Sequence, residues 1–325
     1  MGPLKLWVLP IFWVACFVAG YVYTRQRDVP LDVLLWVAPA FLLEATMFLS
    51  MGVERWRKRV ERLPKRLIAA LLIVGAVAPW WLAVEPFGNF SWTGLVVIAA
   101  MGTVVSVWYL LLPAHPASDL ALLTFMAAVM LVKPFEAFYE RPVPGLALAA
   151  LGQAMWIRTG LYAMLSVRGV KGVGFGFWPS GREWKIGGAH FAAMLPVVVA
   201  LGWWTRFALP QAPAGGLVEV AEMLVLTFFG ALWVLALGEE FFFRGLLQQW
   251  LSGWMGSRAM GLAVTSVLFG SVHLWYQAFP NWRFALLAMV AGVFYGLAFN
   301  RAGSIRASMV THAATVTAWK IFFGG

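Results

Sequence analysis

Two adjacent carboxylates and an arginine interrupt a long apolar run in the last third of the chain. The stretch Gly238–Gly245 reads Gly-Glu-Glu-Phe-Phe-Phe-Arg-Gly, with mostly apolar residues on both sides. Ionisable groups inside a run of bilayer-spanning length cost free energy unless they are paired, hydrated or used in a reaction. After Met223 the sequence contains no other Asp or Glu. Glu239 and Glu240 are therefore the first candidates for a functional site.

The spacing of these residues predicts different partners for the two carboxylates. Successive residues of an α-helix point about 100° apart, so Glu239 and Glu240 are expected to face different partners. Arg244 follows Glu240 by four residues, a spacing that favours an ion pair on one helix face. Glu239 is then left without that partner. The alternative interpretation is that both carboxylates only lock helices together through buried pairs, but a single pair suffices for that purpose.

Two histidines lie in later apolar runs. His273 ends the sequence Phe-Gly-Ser-Val-His, and His312 lies within Thr-His-Ala-Ala-Thr. If these runs span the membrane, both histidines lie at a depth similar to that of Glu239, so the three side chains can reach one cavity. A single histidine in such a run would more often serve as a hydrogen-bonding group between helices. Two histidines together with a surplus carboxylate favour a shared site.

One glutamate and two histidines suit two chemistries. In the first, Glu239 takes a proton from water and passes it on, while the histidines orient the water or stabilise the oxyanion. In the second, Glu239, His273 and His312 bind a catalytic Zn²⁺ that keeps an open fourth position. Other schemes of membrane proteolysis fit less well, because the sequence contains neither His-Glu-x-x-His nor Gly-x-Ser-Gly.

The composition indicates a membrane protein. The 325 residues are 62% hydrophobic and only 12% charged, with a mean hydropathy of +0.80. Continuous apolar runs, without the alternation of barrel strands, predict an all-α, polytopic transmembrane helical bundle. The net charge of +10 comes mainly from short loops, so the expected partner is the lipid bilayer and not nucleic acid. The single Cys16 excludes a disulfide within the chain.

Ten to eleven spans are expected from the apolar runs. The predicted spans are 4–23, 31–52, 67–85, 93–112, 120–139, 145–167, 187–208, 229–251, 260–279, 283–300 and 305–323. The first span is interpreted as an anchor helix rather than a cleaved signal. The basic segment 54–66 is predicted to be cytoplasmic, and the site is expected to open toward that side.

A linker divides the predicted chain into two regions. Residues 209–216 read Leu-Pro-Gln-Ala-Pro-Ala-Gly-Gly, a sequence rich in residues that break helices. We expect an N-terminal transmembrane region of about seven spans over residues 1–208, and a four-helix core over residues 209–325. The Gly-rich segment 169–185 lacks the setting of a phosphate-binding loop and is interpreted as a re-entrant or surface hairpin.

Several ionisable residues of the N-terminal region stand alone in or near predicted spans. They are interpreted as ties between helices or as residues at helix ends, not as parts of a site. These residues are Glu44, Lys133, Glu136 and Arg158.

The C-terminal motifs resemble those of a known family. In order, they are Glu239-Glu240-x-x-x-Arg244, Phe269-x-x-x-His273 and His312 in a late helix, with Gly292, Gly296 and Ser304-Ile305 before the last motif. This pattern resembles the signature of the CPBP family, which includes CAAX-prenyl-protease-like and bacteriocin-processing intramembrane proteases. The resemblance covers about residues 217–325.

The resemblance implies an intramembrane endopeptidase whose first glutamate activates water. That role falls to Glu239, and the histidines serve as positioning or oxyanion-stabilising residues. Glu240, Arg244 and Phe269 are implied as supporting residues. The implied substrate is a membrane-associated protein or peptide, and the implied location is a cell membrane, which we expect to be the bacterial inner membrane. No cofactor is implied, with zinc as the second choice.

One position departs from the family pattern. The family usually has Asn or Asp four residues after the histidine of its third motif, and here that position is Val316. Ser308, Thr315 or Asn300 would then have to supply the oxyanion donor.

A different class of function stays open on the sequence alone. The alternative is a transporter, or a non-catalytic membrane scaffold that keeps the charged site for ion or lipid binding. The long N-terminal region and Val316 favour this alternative. A transporter of this kind would show matching broken helices in two halves, whereas the acidic motif occurs once.

Overall fold

A computed structural model describes residues 8–213 and 215–323 of the chain. Every regular element in these ranges is helical, which confirms the predicted all-α class. The α-helices are α1 (Val8–Gln26), α2 (Leu31–Gly52), α3 (Glu54–Val60), α4 (Lys65–Val84), α5 (Trp92–Leu111), α6 (Pro116–Val132), α7 (Pro134–Phe138), α8 (Ala149–Tyr162), α9 (Gly181–Trp204), α10 (Leu217–Gly230), α11 (Leu237–Glu240), α12 (Gln249–Trp254), α13 (Arg258–Val272), α14 (Trp282–Ala302) and α15 (Ile305–Phe322).

Six helices of the described ranges are long and apolar enough to cross a membrane, fewer than the ten to eleven predicted. They are Leu31–Gly52, Lys65–Phe87, Trp92–Leu111, Gly181–Trp204, Leu217–Trp254 and Trp282–Ala302. The predicted span 120–139 is interrupted because Lys133 adopts a left-handed conformation with φ of 54°, so α6 has only 17 residues. The predicted span 260–279 is also short, since α13 has 15 residues. The beginning of the predicted span 4–23 lies outside the described residues.

The chain forms two compact units, Met1–Val170 and Lys171–Gly325. The sequence analysis placed the boundary later, between residues 208 and 209. The unit begins earlier because α9, which precedes the linker, packs against α14 and α15. Tertiary packing therefore joins α9 to the last helices, whereas the sequence alone separates it from them.

The first unit contains α1 to α8 and carries a buried ion pair. α2 packs against α4 and α8, and α4 packs against α5. Arg158 of α8 donates to both carboxylate oxygens of Glu44 on α2, at 2.6 and 3.0 Å. The same guanidinium donates to the carbonyl of Gly75 on α4 at 2.6 Å. This arrangement confirms the interpretation of Glu44 and Arg158 as a tie between helices.

The second unit is organised around one long helix, Leu217–Trp254. Three α-helical segments, α10, α11 and α12, are joined in it by the π-helical stretches Ala231–Ala236 and Phe241–Gln248. The predicted span 229–251 covers only the second part of this helix, which begins twelve residues earlier, at Leu217. Two π-helical stretches flank the four residues of α11, and π-helical turns are often found at functional sites.

The glycine-rich segment before α9 is held against the second unit by hydrogen bonds. The carbonyl of Val173 accepts from the amide of Ile305 at 2.9 Å, and the carbonyl of Gly174 accepts from the Ser304 hydroxyl at 2.9 Å. Trp233 donates its indole N–H to the carbonyl of Phe177 at 2.8 Å. The segment is thus irregular, and its hydrogen bonds attach it to the start of α15 and to the π-helical stretch Ala231–Ala236. It does not have the strand followed by a helix that surrounds a phosphate-binding loop.

Candidate active site

Four helical segments of the second unit supply the polar residues singled out by the sequence. Glu239 and Glu240 are the last two residues of α11, and Arg244 lies in the π-helical stretch that follows. His273 directly follows α13, at the start of a 3₁₀ turn. His312 lies in the middle of α15.

Glu240 is the centre of a fully buried polar cluster. Its Oε1 accepts a hydrogen bond from Nη1 of Arg244 at 2.9 Å and lies 2.7 Å from Nδ1 of His312. Arg244 also donates through Nη2 to the carbonyl of Gly292 at 3.1 Å. Both partners of the Glu240–Arg244 pair are 0% exposed. The ion pair predicted from the four-residue spacing is confirmed.

Glu239 has a different environment from its neighbour. Its side chain is 33% exposed, and its Oε2 lies 3.9 Å from Nε2 of His312. That oxygen is buried and has no hydrogen-bond partner among the described residues. Glu239 thus differs from Glu240, whose Oε1 accepts from Arg244.

The prediction that the two carboxylates face different partners is wrong. His312 lies between them, with Nδ1 next to Glu240 and Nε2 toward Glu239. The two ring nitrogens of an imidazole point in different directions, so residues that diverge by about 100° can still approach the same side chain.

Aromatic side chains fix the position of the His312 ring. Tyr295 of α14 stacks on the imidazole with centroids 4.6 Å apart and an angle of 18° between the planes. Phe269 of α13 contacts the same ring edge-on, at 5.9 Å. The guanidinium of Arg244 lies 4.4 Å from the centre of the Phe269 ring, a distance typical of a cation–π contact. His312 thus has a defined orientation toward both glutamates.

His273 reaches the same neighbourhood through Phe269. The ring centroids of Phe269 and His273 are 4.8 Å apart, so the two histidines share this aromatic neighbour. Nδ1 of His273 lies 2.7 Å from the carbonyl oxygen of Phe269. A carbonyl only accepts, so Nδ1 carries the hydrogen and Nε2 is left for other contacts. The His273 side chain is also half-buried against Phe284, at 5.1 Å.

The zinc ligand set suggested by the sequence is not assembled. Within residues 8–213 and 215–323, no three His, Cys, Asp or Glu side chains are placed to hold one metal ion. His312 uses Nδ1 for Glu240 at 2.7 Å, so only its Nε2, which lies 3.9 Å from Oε2 of Glu239, is left for another partner. The residues therefore do not fit a zinc site made of Glu239, His273 and His312.

The three residues considered as replacements for the missing oxyanion donor are engaged elsewhere. Ser308 donates to the carbonyl of Ile305 at 2.9 Å, and Thr315 donates to that of Thr311 at 2.7 Å. Asn300 accepts from Gln248 at 3.0 Å. It lies eight residues beyond Gly292, about 12 Å along α14.

Two side chains near the cluster were not identified from the sequence. Tyr295 follows Gly292 by three residues, so its position on the same face of α14 was the only signal for its contact with His312. Gln248 follows Arg244 by four residues and donates to the carbonyl of Gly296 at 3.2 Å. The interval of four residues from Arg244 to Gln248 repeats the spacing from Glu240 to Arg244. This repetition is a sequence signal for three polar side chains in a row on one face of the helix.

An apolar crevice lies beside the second half of α15. Its lining includes Phe191 and Leu195 of α9 and Thr315 and Trp319 of α15. Thr315 follows His312 by three residues, so the crevice is close to the polar cluster along the same helix.

Residues 221–318 of the chain match the model of a family described as Rce1-like, type II CAAX prenyl endopeptidase. The matched range contains Glu239, Glu240 and Arg244 together with both histidines. This match supports a peptidase over the transporter alternative. No curated protein and no solved structure matches the chain.

Proposed function

Because residues 221–318 belong to the CPBP family of CAAX-protease-type intramembrane endopeptidases, we propose that this protein hydrolyses a peptide bond of a membrane-associated protein with water activated by Glu239. The observation that carries the mechanism is the buried Oε2 of Glu239, which has no hydrogen-bond partner in the described part of the chain and lies 3.9 Å from Nε2 of His312. An acceptor held in this way next to a second acceptor is suited to bind the hydrogens of one water molecule.

The separation of these two atoms supports a water-binding role. A direct hydrogen bond needs about 2.7–3.2 Å, so the pair is too far apart to bond directly. One water can donate its two hydrogens to Glu239 and His312 at ordinary lengths, because two such bonds meet at an angle over this separation. The lone pairs of that water then point away from both side chains, toward a substrate carbonyl.

The Glu240–Arg244 pair supports this arrangement by fixing the tautomer of His312. A carboxylate at Glu240 accepts from Nη1 of Arg244 at 2.9 Å and from Nδ1–H of His312 at 2.7 Å. Because the hydrogen is on Nδ1, Nε2 keeps its lone pair for the water. Glu240 is thus a positioning residue that acts through His312.

The reaction balances with Glu239 as both base and acid. Glu239 accepts one proton of the water as the oxygen forms a bond with the scissile carbonyl carbon. The tetrahedral intermediate then collapses, the carbon–nitrogen bond breaks, and Glu239 returns the proton to the leaving amine. The products are a carboxylic acid, which then releases its own proton, and an amine, and Glu239 is again ionised.

His273 is proposed to stabilise the oxyanion. Its Nδ1–H donates to the carbonyl of Phe269 at 2.7 Å, so only Nε2 is left for the substrate. Donation from Nε2 to an oxyanion requires that this nitrogen also carry a hydrogen, as in an imidazolium. The positive charge of that form would stabilise the negative oxygen in the transition state.

The surroundings of the site support a membrane-associated substrate. Glu239, Glu240 and Arg244 lie on the long helix Leu217–Trp254, which is apolar over a bilayer-spanning length, and the crevice beside Thr315 is lined mainly by apolar side chains. The family match concerns CAAX prenyl endopeptidases, so a prenylated C-terminal peptide is the first substrate to try. A bacterial inner membrane is the proposed location.

Cleavage in lipid vesicles tests the proposal. A fluorescent peptide ending in a CAAX sequence is supplied in a farnesylated and an unmodified form to the reconstituted protein. We expect wild type to cleave at least one form, and Glu239→Gln to reduce kcat by about 10²–10⁴-fold with little change in KM. Glu222→Gln is the matched control, because this exposed glutamate lies on the same long helix.

Equal cleavage by wild type and Glu239→Gln would contradict the role of Glu239. Failure of wild type to cleave either peptide would contradict the proposed substrate class.

A further inference from the structure

The second unit contains a group of fully buried polar atoms that have no hydrogen-bond partner among residues 8–213 and 215–323. They are Oε2 of Glu240, Nε of Arg244, Oε1 of Gln248 and Oγ1 of Thr265. All four residues are 0% exposed. A buried polar atom without a partner costs about 1–3 kcal/mol, and proteins usually satisfy such atoms with ordered water.

Three of these residues form one line along the long helix. Glu240, Arg244 and Gln248 follow each other at intervals of four residues, which places them on one side of the helix. Arg244 donates to the carbonyl of Gly292 at 3.1 Å, and Gln248 donates to that of Gly296 at 3.2 Å. The line therefore runs parallel to α14, against two positions that have no side chain. Thr265 lies on α13, which packs against the stretch Phe241–Gln248.

The line has one end at the candidate site and the other near the protein surface. At the first end, Glu240 lies 2.7 Å from His312. At the second end, Nε2 of Gln248 donates to Oδ1 of Asn300 at 3.0 Å. Asn300 is only partly buried and lies in the last turn of α14, next to the exposed Arg301.

The side-chain amide of Gln248 has a fixed orientation. Its Nε2 faces the carbonyl oxygen of Gly296, which only accepts, so the nitrogen and not the oxygen must occupy that place. Oε1 is therefore the amide atom that finds no donor among the described residues.

We propose that these atoms hold a file of ordered water molecules that connects the Glu240–His312 pair with solvent at Asn300. The line offers the groups that such a file needs, since Oε2 and Oε1 accept, Nε–H donates and the Thr265 hydroxyl does both. A buried water needs two to four polar partners, and the line supplies these at regular intervals. The proposed path starts at the fully buried Glu240 and not at Glu239, which is 33% exposed, and it does not depend on peptide hydrolysis.

Hydroxyl-radical footprinting of the full-length protein in lipid nanodiscs tests the proposal. Radicals produced from water by a short X-ray pulse label side chains that touch solvent or bound water. The probes are Phe269 and Tyr295, which are each 2% exposed and contact Arg244 at 4.4 and 5.1 Å from their ring centres. Trp80 is the standard for a dry buried ring, because it is 0% exposed. We expect both probes to be labelled above Trp80.

Two variants distinguish the proposed file from water that enters at Glu239. Thr265→Val removes a hydroxyl that has no protein partner, and Asn300→Leu closes the outer end. Each is expected to lower the labelling of Phe269 and Tyr295 toward the level of Trp80. Gln248→Leu is less suitable, because it also removes the hydrogen bond to Gly296.

Ser266→Ala is the matched control for Thr265→Val. Its hydroxyl is also buried, but it donates to the carbonyl of Leu262 at 2.8 Å, so its removal should leave the labelling unchanged. Labelling of both probes at the level of Trp80 in wild type would overturn the proposal. Labelling that persists in Thr265→Val and Asn300→Leu would overturn it as well, provided that both variants keep the melting temperature of wild type.

Discussion

Nδ1 of His312 lies 2.7 Å from Oε1 of Glu240, although the two residues are 72 positions apart in the sequence. Both are buried, and the same carboxylate oxygen accepts from Arg244 at 2.9 Å. A single oxygen thus joins α15 to the long helix and fixes the side of the imidazole that faces Glu239. The two glutamates consequently have different surroundings, since Glu240 is buried in an ion pair with Arg244 and Glu239 is 33% exposed.

This division predicts different effects of the two glutamates on stability. Glu240→Ala leaves the buried Arg244 without a counter-charge and should lower the free energy of unfolding by about 3–5 kcal/mol. Glu239→Ala removes a side chain that is 33% exposed and should change it by about 0.5 kcal/mol or less. Both changes in the free energy of unfolding can be measured by tryptophan fluorescence during thermal and SDS-induced unfolding in micelles. Similar losses in the two variants would contradict the division.

The contact between Gln248 and α14 requires a glycine at position 296. A Cβ at Gly296 would meet the side chains of Gln248 and Leu262 at less than contact distance. Gly296→Ala should therefore be destabilising, by about 1–3 kcal/mol for overpacking. Gly253→Ala is the control, because its Cβ would meet no atom within 4 Å, and it should stabilise the protein by about 0.4–1 kcal/mol. If Gly296→Ala left the free energy of unfolding unchanged, α14 and the long helix would be able to move apart at this contact without loss of stability.

Phe269 is predicted to act through both its volume and its aromatic face. Phe269→Ala should cost about 3–5 kcal/mol of stability through the cavity that it leaves. Phe269→Leu keeps most of the volume but loses the ring below Arg244, 4.4 Å from the guanidinium, a contact with a value of about 0.5–2 kcal/mol. The same unfolding assay separates the two losses. If Phe269→Leu lowers the free energy of unfolding as much as Phe269→Ala does, the aromatic face of Phe269 and not its volume stabilises the protein.

The buried Glu44–Arg158 pair should stabilise the first unit only as a pair. Glu44→Leu leaves the Arg158 guanidinium charged and buried, so the free energy of unfolding should fall by about 3–5 kcal/mol. The double variant Glu44→Leu/Arg158→Met should recover most of this loss, because apolar residues of similar volume replace the pair. The double-mutant cycle gives the coupling between them. Equal instability of the single and double variants would contradict a pairwise role.

Chelation of divalent metal ions is predicted not to affect cleavage. The side chains Glu239, His273 and His312 are not placed as a common ligand set within the described residues. Incubation of the reconstituted protein with 1,10-phenanthroline should therefore leave kcat unchanged in the peptide assay. Loss of activity that added Zn²⁺ restores, together with stoichiometric zinc in elemental analysis of the purified protein, would refute the glutamate mechanism.

The sequence by itself determined the features that depend on local spacing and on composition. The long apolar runs require helices, since a bilayer leaves no water to satisfy an open backbone. The interval from Glu240 to Arg244 determined their ion pair, because residues four apart on a helix are neighbours. The absence of any other acid after Met223 singled out Glu239 before any contact was known.

Only the tertiary structure decided which side chains from distant helices meet. It placed His312 between the two glutamates, gave both histidines Phe269 as a common neighbour, and joined α9 to the last helices. These contacts depend on how helices rotate and pack against one another, and residue spacing within one helix does not specify that rotation. For the same reason the sequence alone left zinc open, since ligand types are visible in a sequence and distances between helices are not.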